Sequence, residues 1–171
     1  MKIDWPDLWN LLEPHKGERF ALVRDTVSFT MELIDLERLF VVMSGSKAEQ
    51  ELNTATVEAA RGDVLVYGFG LGLILIPMMN KPDVTSVTVV ELHQEVLDLV
   101  AAQHALNDKV RIVLGDALTY VPDRQYDLIF SDIDTGPDEM NAYPMLGPRM
   151  GPFLKPGGQY LQWNNDGRFR A

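Results

Sequence analysis

The stretch "VYGFGLG" places Gly68, Gly70 and Gly72 at alternate positions between two apolar runs. Further along stand Glu91 in "VVELHQ", Asp116 in "LGDAL", and Asp132 and Asp134 in "FSDID". Glycines so spaced allow sharp backbone angles and let a ligand approach the main chain; a tight strand-to-helix turn needs them equally. An acid ending the next strand, about 20 residues on, accepts hydrogen bonds from both hydroxyls of a ribose. The alternative for Glu91 is a solvated strand end or a carboxylate at a helix N-terminus. Asp116 serves as a helix cap, or accepts from the exocyclic amine of an adenine beside Ala117. Asp132 stands where a general base is needed, or orients its loop. Asp134 either holds a cationic acceptor or starts the turn at Thr135, Gly136 and Pro137.

These residues need a frame that brings distant stretches to one edge. "DVLVY", "SVTVVEL", "VRIVLG" and "YDLIFSDI" read as buried strands, and "FLKPGGQYLQW" as a Pro-Gly-Gly turn with a last strand. Between them, "LGLILIPMM" is a short apolar helix, and the segment 117–121 a short helix. "HQEVLDLVAAQHAL" is a helix with Val96, Leu97, Val100 and Ala101 on one face. Near-continuous apolar strands with helical crossovers form a parallel sheet covered on both faces. Ligands of such sheets sit beyond the carboxyl ends of the strands, where the glycines, Glu91, Asp116 and Asp132 all fall.

Ahead of this unit the texture differs. Asp4 is the expected cap of a first helix that has Pro6 in its first turn and ends at Pro14. "FALV", "VSFTMELI" and "RLFVVMSG" read as strands, the last two joined by a turn near Asp35 and Glu37. Ser46 with Glu49 is a capping-box pattern opening a helix that Gly62 stops. Residues 1–60 are thus a helix, a small β-hairpin region and a lead-in helix; residues 61–171 are the core of one compact unit.

Composition narrows the function classes. The 171 residues, 46% hydrophobic, suffice for one well-buried domain. Cysteine is absent, which excludes disulfides and thiolate metal sites. His15, His93 and His104 lack ligand spacing, so no metal is expected. A net charge of −10 repels nucleic-acid phosphates and favours solubility or a cationic substrate. With no leader pattern and no membrane-length apolar run, a cytoplasmic protein is expected. "MNAYPMLGPRMGPF" serves as an acceptor-side lid or as core packing.

Taken together and in order, "VLVYGFGLG", "VTVVELHQEVLDLV", "VRIVLGDAL", "YDLIFSDI" and "FLKPGGQYL" resemble the class I S-adenosylmethionine-dependent methyltransferase superfamily, over roughly Gly62 to Trp163. The resemblance implies a Rossmann-like fold with a mostly parallel sheet. It implies adenosyl-ligand contacts at Gly68, Phe69, Gly70 and Gly72, at Glu91 and Leu92, and at Asp116 and Ala117. Within the superfamily, details are similar to the spermidine synthase branch. Val66 stands two residues before the first glycine, where many methyltransferases carry an acid; the N-terminal hairpin runs into "MSGSKAEQE"; and "SDIDTGP" resembles the branch's catalytic loop, shortened. The chain departs from the branch at Leu71 and His93, where Asp is usual, and has no clear Tyr-His-Glu, although Glu49, Gln50 and Glu51 are nearby.

The reading implied is a transferase moving a methyl or aminopropyl group from S-adenosylmethionine, or its decarboxylated form, to a small-molecule acceptor of cationic type, with Asp132 as base. A non-catalytic adenosyl-nucleotide module is the alternative, and a nicotinamide oxidoreductase a weaker one, since G-x-G-x-G is not G-x-G-x-x-G. The C-terminal strands of the family fold are missing from the sequence, which leaves "GQYLQW" as an edge and predicts a homodimer.

Overall fold

The structure is a computed structural model that describes residues 2–133 and 143–163. Asp134, the turn at 135–137 and the terminal arginines Arg168 and Arg170 lie outside the described residues.

The first helix, α1 (Leu8–Leu11), is capped by Asp7, not Asp4. Asp7 accepts from the Asn10 side-chain amide at 2.7 Å and its backbone N–H at 3.4 Å, which fixes the start there. Four strands follow in chain order as one antiparallel sheet: β1 (His15–Lys16), β2 (Phe20–Asp25), β3 (Thr30–Asp35) and β4 (Phe40–Ser44). The predicted hairpin is therefore part of a meander whose two-residue first strand is too short to show periodicity. Asp35 locks the β3–β4 turn by accepting from the N–H groups of Glu37 and Arg38 at 2.9 and 3.1 Å.

Helix α2 (Lys47–Ala59) begins as expected: Ser46 Oγ accepts from the Glu49 N–H at 3.3 Å. The Glu49 carboxylate does not reach back to Ser46; it accepts from Asn53 Nδ2 at 2.9 Å. Its end is not made by Gly62. The buried Lys81 ammonium donates to the carbonyls of Val57, Glu58 and Ala60, satisfying the helix terminus where the macrodipole is negative. Gly62, at φ +57°, opens the next strand.

That strand, β5 (Gly62–Tyr67), is the centre of a parallel sheet with β6 (Val84–Glu91), β7 (Val110–Leu114), β8 (Tyr126–Ser131) and β9 (Leu154–Gln162), in the order β7-β6-β5-β8-β9. Helices α3 (Leu75–Asn80), α4 (Gln94–Leu99) and α5 (Tyr143–Met150) lie in the crossovers. One sheet face buries Val64, Val66, Leu128 and Phe130 with Val57 of α2 and with Phe20, Leu22 and Leu33 of the antiparallel sheet. The other buries Leu65, Tyr67 and Ile129 against Leu146 and Met150 of α5. Alternate residues of each strand serve opposite cores, as period-2 geometry requires. No helix among the described residues is long and apolar enough to cross a membrane.

Two elements are shorter than their sequence patterns and one is longer. Helix α4 stops at Leu99, whose carbonyl is taken by the Gln103 side chain at 2.6 Å, and continues as a 3-10 turn at Ala101–Gln103. The expected helix at 117–121 is a single turn held by Asp116, with Pro122 unable to continue it. The Pro-Gly-Gly sequence sits inside β9 as a bulge: Tyr126 pairs with Leu154, yet Leu128 pairs with Gln159.

Candidate functional site

The carboxyl ends of the five parallel strands form one hydrogen-bonded row. Gly115 N–H donates to Glu91 C=O, Gly68 N–H to Val90 C=O, Asp132 N–H to Tyr67 C=O and Trp163 N–H to Ser131 C=O, at 2.8–3.0 Å. Residues far apart in sequence are thereby set side by side, one strand spacing of ~4.8 Å between neighbours. Along this row runs a cleft of about 560 Å³, walled on the other side by β4 of the antiparallel sheet through Phe40 to Met43. Gly68, Gly70, Glu91, Leu92, Asp116, Ala117 and Asp132 all line it. The sequence reading of these seven positions converges on one place.

Glu91 is 6% exposed, an expensive position for a carboxylate. Its two oxygens are held by main-chain donors, Phe69 N–H to Oε2 and His93 N–H to Oε1, both at 2.8 Å. One acceptor site per oxygen remains for the cleft, the number needed for two adjacent hydroxyls. The same bonds tie the glycine turn to the end of β6, so Glu91 shapes the site as well as lining it.

Each glycine answers to a different neighbour. All three have positive φ: +93° at Gly68, +52° at Gly70 and +70° at Gly72. A side chain at Gly68 would run into the backbone carbonyl of Asp132, so the β5 and β8 loops can meet only over glycine. At Gly70 it would come within 2.6 Å of Met43 Sδ, and at Gly72 within 2.7 Å of His104 Nε2. Gly72 and the Phe69 ring do not line the cleft: Phe69 is buried, with its ring 6.0 Å from His104, and contributes its N–H alone. Leu71, where the resembled branch has an acid, is fully buried; its N–H donates to Met43 Sδ, and His104 Nε2 donates to its carbonyl. Burial holds His104 below its ordinary pKa, so it is neutral in this role.

Asp116 Oδ1 accepts from the Leu118 N–H at 2.8 Å, the capping role, while Oδ2 has no partner among the described residues. Ala117 is buried beside it, and Leu92, 56% exposed, adds an apolar surface facing the cleft. Asp132 sits two strands from Glu91. Desolvation, and secondly the charge of Glu49, push its carboxyl up to about 7. The His93 ring packs tilted against Phe20 at 4.8 Å between centroids, and burial lowers its pKa.

Sequence reasoning missed part of the wall. Met43 and Trp163 line the cleft, and Arg19 and Arg38 enter it from the antiparallel sheet, both ion-paired to Asp35. No local motif marks them: Trp163 arrives with the end of β9, and the packing of one sheet on the other brings Met43, Arg19 and Arg38. Glu95, unremarked in its helix, makes that docking by accepting from Arg19 N–H at 3.1 Å and Phe20 N–H at 3.2 Å.

No protein-family model matches the sequence, and no curated protein matches it. Solved structures do. The N-methyltransferase NodS from Bradyrhizobium japonicum WM9, in complex with S-adenosyl-L-homocysteine, is similar with a TM-score of 0.54 at 16% identity, over 68% of this chain and 61% of its own. CalS10, an amino pentose methyltransferase from Micromonospora echinaspora with S-adenosylmethionine bound, gives 0.52 at 20%, over 70% and 52%. An S-adenosylmethionine-dependent methyltransferase from Clostridium acetobutylicum ATCC 824 gives 0.51 at 18%, over 68% and 49%. The chain thus spans 49–61% of these three structures. What they share with it is the class I methyltransferase fold: an α/β core with a parallel sheet flanked by helices.

Proposed function

We propose that this chain is an S-adenosylmethionine-dependent transferase acting on a small-molecule nucleophile. The observation that carries the reading is the buried Glu91 carboxylate, braced by two main-chain N–H groups and lining a cleft with acceptor capacity to spare. The cleft fits the donor in size and in chemistry. Its volume is within the range of small-molecule sites, roughly 300–1,000 Å³. Glu91 would hold the ribose, Asp116 Oδ2 the adenine amine, Ala117 and Leu92 its faces, and Gly68 and Gly70 the passage toward Asp132. That solved relatives in fold carry this ligand or its demethylated product supports the assignment.

When bound, the donor supplies an electrophilic carbon on a sulfonium, and the protein's task is to position and deprotonate the acceptor. Asp132 is suited to this: its carboxyl stands near neutrality when no sulfonium is beside it, so it can take up the acceptor amine's proton as transfer removes the donor's charge. Methyl transfer is the reading that the fold relatives favour. Aminopropyl transfer from the decarboxylated donor, in the manner of spermidine synthases, is the second reading; the antiparallel sheet preceding the core and the acidic end of the cleft at Asp132 speak for it.

Calorimetric titration with S-adenosylmethionine, its decarboxylated form and NAD tests the reading. Binding of an adenosyl donor and not NAD is expected; NAD binding alone would overturn it. We also propose a homodimer, since β7 and β9 are the outer strands of the described sheet and open strand edges invite pairing. Sedimentation equilibrium showing one species at 19.2 kDa would contradict that.

A further inference from the structure

The acidic end of the cleft contains more than Asp132. Helix α2 packs Val57 and Ala60 into the same core as Leu128, Phe130 and Leu161. Glu49 and Asn53 lie two turns and one turn before Val57 on that helical face, which carries them toward the strand ends at Asp132 and Trp163. Asn53 is fully buried; its Nδ2 holds Glu49 Oε1 at 2.9 Å, while its Oδ1 has no partner among the described residues. Trp163 Nε1, on the same cleft wall as Asp132, is buried and has no partner among the described residues either. Two carboxylates thus belong to this end of the molecule: Asp132 lines the cleft, and the charge of Glu49 reaches it from α2.

Among the described residues no cation answers them. Burial and Glu49 are what act on the Asp132 carboxyl among the described residues. Glu49 is itself pushed above its ordinary pKa by burial, an effect the Asn53 bond partly offsets. The other charged or titratable groups lining the cleft are Arg19, Asp35, Arg38, Glu91, His93 and Asp116. Arg19 and Arg38 are paired with Asp35, and Glu91, His93 and Asp116 belong to the ends of β6 and β7. The elements packed around Asp132 from β4, the glycine turn and β9 contribute Met43, Gly68 and Trp163, none of them charged.

With a ribose on Glu91 and an adenine toward Asp116, the rest of the donor extends the other way along the row, past Gly68 to Asp132. We propose that Glu49 and Asp132 form a charge sensor for the donor's sulfur, holding the cationic sulfonium and releasing the neutral thioether left after transfer. The proposal rests on the adenosyl reading and adds to it a means of product release. Binding of the sulfonium turns Asp132 to its carboxylate, and the displaced proton leaves to solvent. The thioether offers no positive charge and displaces no proton.

The sign of the pH dependence follows. Below pH 7 the sulfonium must expel a proton to bind, so its affinity falls; above pH 7 it need not. With the free group near 7 and the bound group ionised throughout this range, affinity rises about tenfold from pH 6 to pH 8. Titration calorimetry of the intact chain with S-adenosylmethionine and S-adenosylhomocysteine at both pH values tests this, repeated at pH 6 in two buffers of different ionisation heat to count protons. Proton release with the sulfonium alone is expected, and a sulfonium-to-thioether preference that grows with pH. Glu49→Gln, which keeps an oxygen for Asn53, should shift the sulfonium's pH dependence to lower pH and shrink the preference; Asp132→Asn should remove the dependence. A preference that does not change with pH, or a pH slope that survives in Asp132→Asn, overturns the proposal while leaving the adenosyl site standing. If neither ligand binds, the adenosyl reading falls and the sensor with it.

Discussion

At the scale of single residues, Glu91 carries the most specific expectation. Glu91→Gln keeps the shape and one acceptor oxygen but loses the charge and one main-chain bond to the glycine turn or to His93. Affinity for the adenosyl ligand should fall by roughly 1–3 kcal/mol, the worth of charge-assisted bonds. Thermal stability should fall as well, because a buried N–H loses its acceptor; calorimetry and a melting curve read the two effects, and an unchanged affinity removes the ribose assignment. Asp132→Asn should abolish transfer in single-turnover assays. Glu91, Asp116 and Asp132 were legible in the sequence because each ends a strand, and strand ends of a parallel sheet converge. Glu49 was legible as a cap partner but not as a charge acting on Asp132, since helix α2 and strand β8 are joined by no local pattern. Phe69 was half legible: its backbone reaches Glu91, and its ring went to the core.

At the scale of elements, the glycine turn serves the protein's own packing before it serves a ligand. Gly70→Val places a β-branched side chain at φ +52° and against Met43. The strain of that backbone region alone is about 1–2 kcal/mol, so the variant should lose stability in urea unfolding as well as ligand affinity. A variant with native stability and no binding would assign Gly70 to the ligand alone. The parallel strands could be read from unbroken Val/Ile/Leu runs, because burial on both faces removes the alternation that a half-exposed strand shows. Helix ends were less legible. Lys81 completes the end of α2 from 21–24 residues away, and Gln103 takes the last carbonyl of α4 from the turn that follows it.

At the scale of the whole molecule, the two sheets meet at the site, and the opposite end of the parallel sheet is braced by charge. Lys155 of β9 reaches Asp63 of β5 and Asp127 of β8, each at 2.7 Å, across the amino ends of the three strands. The hydrogen bonds from Lys155 come first in holding both carboxyls below their ordinary pKa. A depressed carboxylate stabilises the fold above its unfolded pKa and loses that contribution as pH falls through the folded one. Stability should therefore decline below about pH 4, where carboxylates ordinarily titrate. Lys155→Met should cost about 1 kcal/mol at neutral pH, limited by solvent screening, and should flatten that decline. Urea unfolding at pH 7 and pH 3 measures both; an equally steep decline in the variant would show that the bracing lies elsewhere. The cleft's far wall belongs to this scale as well. It exists because Glu95 docks the antiparallel sheet over the strand ends, a long-range contact that no single segment announces.

The central claim is that one adenosyl ligand lies along the row of strand ends, and a crystal structure of the chain with S-adenosylhomocysteine tests it most directly. The account predicts the ribose hydroxyls on Glu91, the adenine beside Asp116 and Ala117, and the sulfur past Gly68 on the side of Asp132. Density for the ligand with its ribose away from Glu91, or outside the cleft altogether, would contradict it.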